Sequence, residues 1–182
     1  MEQLHILGIC GSLRRQSTNR GLLQYARDNA PAGLEIQVAD LADVPFYNAD
    51  LQEIPEPVKK LLDGIGQADA LLLACPEYNY SIAPPLKNAL DWASRAQDNH
   101  LLAGKPVAIV GSGGGMGTAR AQYHLRQVCV FLDLHPLNKP EVFSNAFSPS
   151  FDEEGNLVDE KIQELVIEQL KALQNWTKIL QP

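Results

Sequence analysis

Cysteine, basic charge and long apolar stretches are all scarce in this sequence. The three cysteines, Cys10, Cys75 and Cys129, form no C-x-x-C pair, and each stands in an apolar context. That excludes a disulfide framework and fits small buried hydrophobes in a reducing compartment, so a cytoplasmic location is expected. His5, His100, His124 and His135 show neither H-E-x-x-H spacing nor partner cysteines, so no metal site is expected. With 15 basic and 22 acidic residues the formal net charge is −7. Nonspecific nucleic-acid binding needs the opposite balance. Any anion held here must therefore be held by a local cluster and not by a global field. No apolar run approaches the ~18 residues of a membrane helix, and Met1-Glu2-Gln3 lacks the basic start of a secretory signal. Neither insertion nor export is expected.

What is present is an alternation. The 182 residues, 45% hydrophobic and 20% charged, suit one globular domain spanning residues 1–182. Strand candidates are Leu4–Cys10, Glu35–Asp40, Ala70–Pro76, Pro106–Ser112 and, more weakly, Glu141–Ser144. Three of them are continuous apolar runs, as expected of parallel strands covered on both faces. Between them, helical patterns run over Ser17–Asn29, Glu56–Ile65, Pro85–Ala96, Thr118–Leu134 and Asp159–Leu180, with Gly64 and Gly66 read as ending the second. The pattern predicts an α/β, flavodoxin-like three-layer sandwich with a five-stranded parallel sheet in the order 2-1-3-4-5. Leu41–Pro55 and Asn145–Asn156 are the long irregular stretches.

Ligands of such sheets bind outside the carboxyl ends of the strands, where strand order reverses. Three unusual loops follow strands there. GSLRRQSTN (residues 11–19) follows the first strand and leads into a helix start, where free backbone N–H groups and the dipole favour an anion. Ser12, Ser17 and Asn19 add donors, and Arg14 or Arg15 a guanidinium. The plain alternative is an N-capping Ser17 beside solvated arginines. PEYNYSIAPP (residues 76–85) offers the flat faces of Tyr78 and Tyr80 with Asn79 and backbone amides between them. GSGGGMG (residues 111–117) has few side chains, so a planar ring could lie on its backbone.

Several anion chemistries fail on the residues. A P-loop is absent, because Asn99 stands where the first glycine before Gly104-Lys105 belongs. The cysteine-phosphatase pattern C-x5-R-[ST] from Cys10 meets Gln16 at the arginine position, which removes the main charge stabiliser of a thiolate mechanism. A dinucleotide fingerprint from Gly111 meets Met116 at its last glycine. A single phosphate carried by a larger ring system remains.

GSLRRQSTNR (11–20), PEYNYSIAPPLKNALDWASR (76–95) and GSGGGMGTARAQYHLRQV (111–128) together resemble the NADPH-dependent FMN reductases, in particular their chromate/quinone reductase branch. The resemblance runs from the first strand to about Leu132 and weakens in the last helix. It implies that Ser12, Arg14, Ser17 and Asn19, with the Thr18 backbone, hold the phosphate of bound FMN. It implies further that Pro76, Glu77, Tyr78, Asn79 and Tyr80 line the flavin ring, and that Ser112, Gly113 and Gly114 lie along its other end. No acid or base is nominated as catalytic, since the flavin carries the chemistry.

The implied activity is ping-pong hydride transfer from NADPH or NADH through FMN to a small acceptor: a quinone, chromate, an azo compound or free flavin. NADPH over NADH rests on the resemblance alone. A flavodoxin-like electron carrier and a non-enzymatic FMN-binding protein are the alternatives. The family pattern also implies a homodimer or homotetramer. The Thr118–Leu134 helix would serve its contact, with Leu125, Val128, Cys129 and Leu132 in one stripe and Tyr123, Val130, Phe131 and Leu134 elsewhere around it. Burial of that helix inside a monomer is the competing account.

Overall fold

The computed structural model describes residues 3–180, apart from the side chains of Gln97 and Asp98. The three continuous apolar runs become the sheet's interior strands: β1 (Leu4–Cys10), β3 (Ala70–Ala74) and β6 (Pro106–Gly113). Together with β2 (Leu34–Ala39) they pair in parallel in the order β2-β1-β3-β6. Side chains alternate between the faces. Leu7, Ile9, Leu71, Leu73, Val107 and Ile109 meet α2 (Glu56–Gln67), α3 (Pro84–Arg95) and α4 (Ala119–Phe131). Ile6, Cys10, Leu72, Ala74, Ala108 and Val110 meet α1 (Thr18–Asp28) and α5 (Glu160–Leu180). This is the three-layer sandwich expected.

The structure refines the expected boundaries. The weak fifth strand is divided: β7 (His135–Pro136) pairs with the start of β6 and β8 (Val142–Asn145) with its end. Gln169 bridges the interruption, its Nε2 donating to the carbonyls of Ile109 at 3.1 Å and Pro140 at 2.8 Å. Gly64 and Gly66 do not end α2, which continues to Gln67. Ile65 between them is fully buried, and its packing outweighs the helix cost of two glycines. The segment after β3 is not simply a loop. It forms a hairpin of β4 (Glu77–Tyr78) and β5 (Ser81–Ile82). The helix expected over Thr118–Leu134 is shorter at both ends, and Asp133, with φ 53°, marks the exit from it. Tyr123, Val130 and Phe131 on α4 are 66%, 81% and 78% exposed, so burial inside the monomer is not what their side chains experience.

Candidate functional site

Backbone hydrogen bonds gather the three loops at the carboxyl ends of β1, β3 and β6. Gly11 N–H donates to the Ala74 carbonyl at 3.0 Å, and Cys75 N–H to the Val110 carbonyl at 2.9 Å. A Cβ on Gly11 would lie 2.8 Å from Pro76 Cδ, and one on Gly111 would lie 2.9 Å from the Cys75 carbonyl oxygen. The loops therefore touch where a side chain would hold them apart.

The first loop ends at the start of α1, where free backbone N–H groups favour an anion. Ser17 is the N-cap of α1, its Oγ accepting from Arg20 N–H at 3.3 Å. The first intrahelical bond is Gly21 N–H to the Ser17 carbonyl, so the Thr18 and Asn19 N–H groups precede the ladder. Ser12, Ser17, Thr18 and Asn19 are buried, whereas Arg14 and Arg15 are exposed. Arg14 Nη2 donates to the Gln16 carbonyl at 2.6 Å, and its N–H to Ser12 Oγ at 3.4 Å, which holds the guanidinium over the loop. The side chain of Asn19 is fully engaged elsewhere. Its Nδ2 donates to the Ser112 carbonyl at 2.7 Å, and its Oδ1 accepts the Ser112 N–H at 3.0 Å. Asn19 thus offers its backbone to an anion while its side chain fastens the first loop to the third. Cys10 is buried, its thiol donating to the Ser12 carbonyl at 3.6 Å, and burial pushes its pKa up. A thiolate nucleophile is disfavoured there.

In the second loop Asn79 and Tyr80 form the two-residue turn of the β4–β5 hairpin, with φ of 50° and 67°. Both left-handed conformations match the twist of tight hairpins, at a cost for a residue as large as tyrosine. Tyr78 and Tyr80 remain about half exposed or more, as apolar surfaces at the strand ends. The Glu77 carboxylate turns away from this surface toward α4. Its Oε2 accepts the N–H groups of Arg120 at 3.1 Å and Ala121 at 3.2 Å, and its Oε1 accepts Arg120 Nε at 2.6 Å and pairs with Nη2. Sequence reasoning missed Arg120. A cation in the first turn of a helix opposes the macrodipole, and that was the available signal for a carboxylate partner.

In the third loop Gly113 has a structural reason to be glycine, since a Cβ would lie 2.3 Å from the Gly117 carbonyl oxygen. Gly114 and Gly115 face open space instead. Ser112 is buried, and its Oγ has no hydrogen-bond partner in the described structure. An anion-binding helix start, apolar tyrosine faces, an open glycine edge and an unsatisfied hydroxyl fit a flat ring system carrying one phosphate.

Fold and site together define a flavodoxin-like domain equipped for a phosphorylated planar cofactor. The model for the NADPH-dependent FMN reductase family matches residues 4–148, and the chain belongs to that family. An NAD(P)H-dependent FMN reductase of Pseudomonas aeruginosa is 50% identical over 182 residues, covering 98% of each chain. A probable NADPH:quinone oxidoreductase of Oryza sativa is 49% identical, covering 98% of this chain and 94% of its own. Among solved structures, the flavoenzyme NAD(P)H:(acceptor) oxidoreductase FerB of Paracoccus denitrificans superimposes with a TM-score of 0.86 at 32% identity, over 96% of this chain and 97% of its own. The chain is accordingly an oxidoreductase, with FMN as its expected cofactor and NAD(P)H as its expected co-substrate. The electron-carrier and non-catalytic alternatives lose their footing. No described helix is long and apolar enough to cross a membrane.

Proposed function

We propose that the chain acts throughout its length as one FMN-binding domain that reduces small acceptors, quinones foremost, at the expense of NADPH or NADH. FMN, when bound, would supply two-electron hydride chemistry between the nicotinamide and the acceptor. The Thr18 and Asn19 amides at the start of α1, the Ser12 and Ser17 hydroxyls and Arg14 would hold the FMN phosphate. Pro76, Tyr78, Asn79 and Tyr80, with only the backbone of Glu77, would line the ring from the second loop, and Ser112 to Gly114 would line it from the third. Backbone amides and Asn79 supply the fixed dipoles that favour negative charge at the ring's polar edge. The exposed faces of Tyr78 and Tyr80 give both nicotinamide and acceptor an apolar surface. One open face shared by the two gives ping-pong turnover.

The observation that carries this reading is the double hydrogen bond between Asn19 and Ser112, which fixes the anion loop against the glycine edge. Chromate, azo compounds and free flavin are further acceptors consistent with an open site. A homodimer or homotetramer is the proposed assembly. A groove of about 530 Å³ between α3 and α4, lined by Ile82, His124, Val128, Phe131 and Leu132 among others, provides its contact. The free, buried thiols fit a reducing cytoplasm.

The test is direct. The purified protein is expected to show a flavin absorption spectrum, as isolated or after FMN is added. NADPH or NADH should bleach that spectrum, and a quinone should restore it. A colourless protein that takes up no FMN, or steady-state kinetics without parallel double-reciprocal lines, would count against the respective part.

A further inference from the structure

We propose that Arg120 is a positioning residue that locks the β4–β5 hairpin against the start of α4, and so sets how the second and third loops face each other across the ring site. The proposal rests on the flavin reading above.

Four observations carry it. First, α4 has no capping side chain of its own, because Thr118 makes no cap hydrogen bond. The Glu77 carboxylate, 43 residues earlier, supplies the missing acceptor to the Arg120 N–H. Second, the same carboxylate binds the Arg120 guanidinium, so one side chain from the hairpin meets both the backbone and the side chain of one residue of α4. Third, the guanidinium carbon of Arg120 lies 3.7 Å from the centroid of the Tyr80 ring. Fourth, Tyr80 holds a left-handed backbone at φ 67°. Such a conformation persists in a bulky residue only where its surroundings enforce it.

Arg120 therefore touches the hairpin twice, at Glu77 before the turn and at Tyr80 within it. The burial is asymmetric: the Glu77 side chain is 6% exposed and that of Arg120 is 40%. Removing the arginine leaves a buried carboxylate with its cationic partner gone, and Glu77 must turn toward water to recover solvation. Tyr80 simultaneously loses the cation on its ring, and with it the constraint on the turn. The Asn79 and Tyr80 amides then lose their fixed direction. The hydrogen bonds and the ion pair of Arg120 go to Glu77 and not to the start of α1, so the proposed phosphate site there should keep its grip. The expected defect is misorientation rather than loss of the cofactor.

The experiment uses the full-length protein reconstituted with FMN. The variants are R120A, R120K and E77Q. FMN affinity, visible circular dichroism of the bound flavin, its midpoint potential and its reduction by NADPH are measured for each. R120A is expected to keep FMN within about tenfold of the parent affinity, to change the flavin dichroism and to shift the potential downward. Its reduction by NADPH should slow by roughly tenfold or more, in keeping with the sensitivity of such transfers to small misplacements. R120K retains the charge without the planar geometry and is expected to restore these properties only in part. Should R120A fail to fold, E77Q keeps a neutral acceptor for the helix start and is expected to move the dichroism and the rate in the same direction. Unchanged dichroism, potential and reduction rate in R120A, whatever its melting temperature, would overturn the proposal, and so would an E77Q protein indistinguishable from the parent. A parent protein that binds no FMN would overturn the flavin reading and this proposal together. A flavin-binding parent beside a silent R120A overturns this proposal alone.

Discussion

Asn19 and Ser112 lie 93 residues apart and exchange two buried hydrogen bonds, Nδ2 to carbonyl at 2.7 Å and N–H to Oδ1 at 3.0 Å. The side-chain amide of Asn19 thus completes, between a helix start and a strand end, a pairing that two peptide groups would make in a sheet. Asn19→Asp tests it with the smallest change of shape. The carboxylate still accepts from the Ser112 N–H but offers the Ser112 carbonyl an oxygen in place of a donor. An unsatisfied buried carbonyl costs about 1–3 kcal/mol, more than the roughly 0.3–1 kcal/mol a carboxylate gains at a helix N-terminus. The variant is expected to lose about 2 kcal/mol in urea unfolding. FMN affinity should fall at least tenfold, because a negative charge in the first turn of α1 weakens the local positive field that would hold the phosphate.

Gly21 lets the Gly155 carbonyl approach α1 more closely than a side chain would permit. A Cβ on Gly21 would stand 1.9 Å from the Gly155 carbonyl oxygen, and Gly155 itself, at φ 88°, packs on the Gln16 backbone beneath the first loop. In an unhindered helix Gly→Ala stabilises by about 1 kcal/mol. At Gly21 the sign is expected to reverse, with a loss of about 1–3 kcal/mol from overpacking and weaker FMN binding as the loop is pushed outward. Gly66→Ala is the control. Its Cβ meets only the movable Cδ2 of Leu101 at 3.3 Å, so a gain of up to about 1 kcal/mol is expected. Thermal unfolding of the two variants beside the parent checks both signs.

These contacts also mark what can be seen in a sequence of this kind. β1, β3 and β6 are legible because strands covered on both faces must be apolar throughout, and α1 is legible because Ser17 sits where a cap belongs. The meeting of the three loops at the carboxyl ends of β1, β3 and β6 follows from the order of elements alone. The bonding of Asn19 does not, because its partner is fixed only once the loops meet. Glu77 shows the same limit. PEYN places it among residues facing a ring, yet its carboxylate serves α4, and nothing local to residues 76–80 reports the Arg120 that claims it. Gly64 and Gly66 mislead for a related reason. A glycine ends an isolated helix more readily than one whose Ile65 is already buried against the sheet.

The thiols of Cys75 and Cys129 give a pH dependence of known sign. Burial pushes both pKa values up to about 12, and the neighbouring Cys129 adds to the effect at Cys75. An unfolded thiol titrates near about 8.5. The folded state therefore binds more protons than the unfolded state between these limits. The associated stability is complete below about pH 8.5 and is lost as pH rises toward about 12. Urea unfolding across that window is expected to show a steeper alkaline loss in the parent than in a Cys75→Ala/Cys129→Ala double variant. At neutral pH the native thiols should resist a thiol reagent that modifies all three cysteines in the denatured chain.

Phe131 and Val130 close α4 with side chains 78% and 81% exposed, beside the groove between α3 and α4. Neither residue serves the core of its own subunit, since Leu125, Cys129 and Leu132 already fill that side of the helix. A self-complementary contact through this face would bury both together, and an isologous dimer places each such residue twice in one interface. Phe131→Glu should then introduce two like charges into an apolar contact while leaving the subunit interior untouched. Light scattering behind size exclusion is expected to find the parent as a dimer or tetramer and Phe131→Glu shifted toward the 20.0 kDa monomer. Its far-ultraviolet dichroism should stay the same. A parent that is already monomeric at micromolar concentration would refute the assembly while leaving the loops of the flavin site as they are, because every contact that joins those loops lies within one chain.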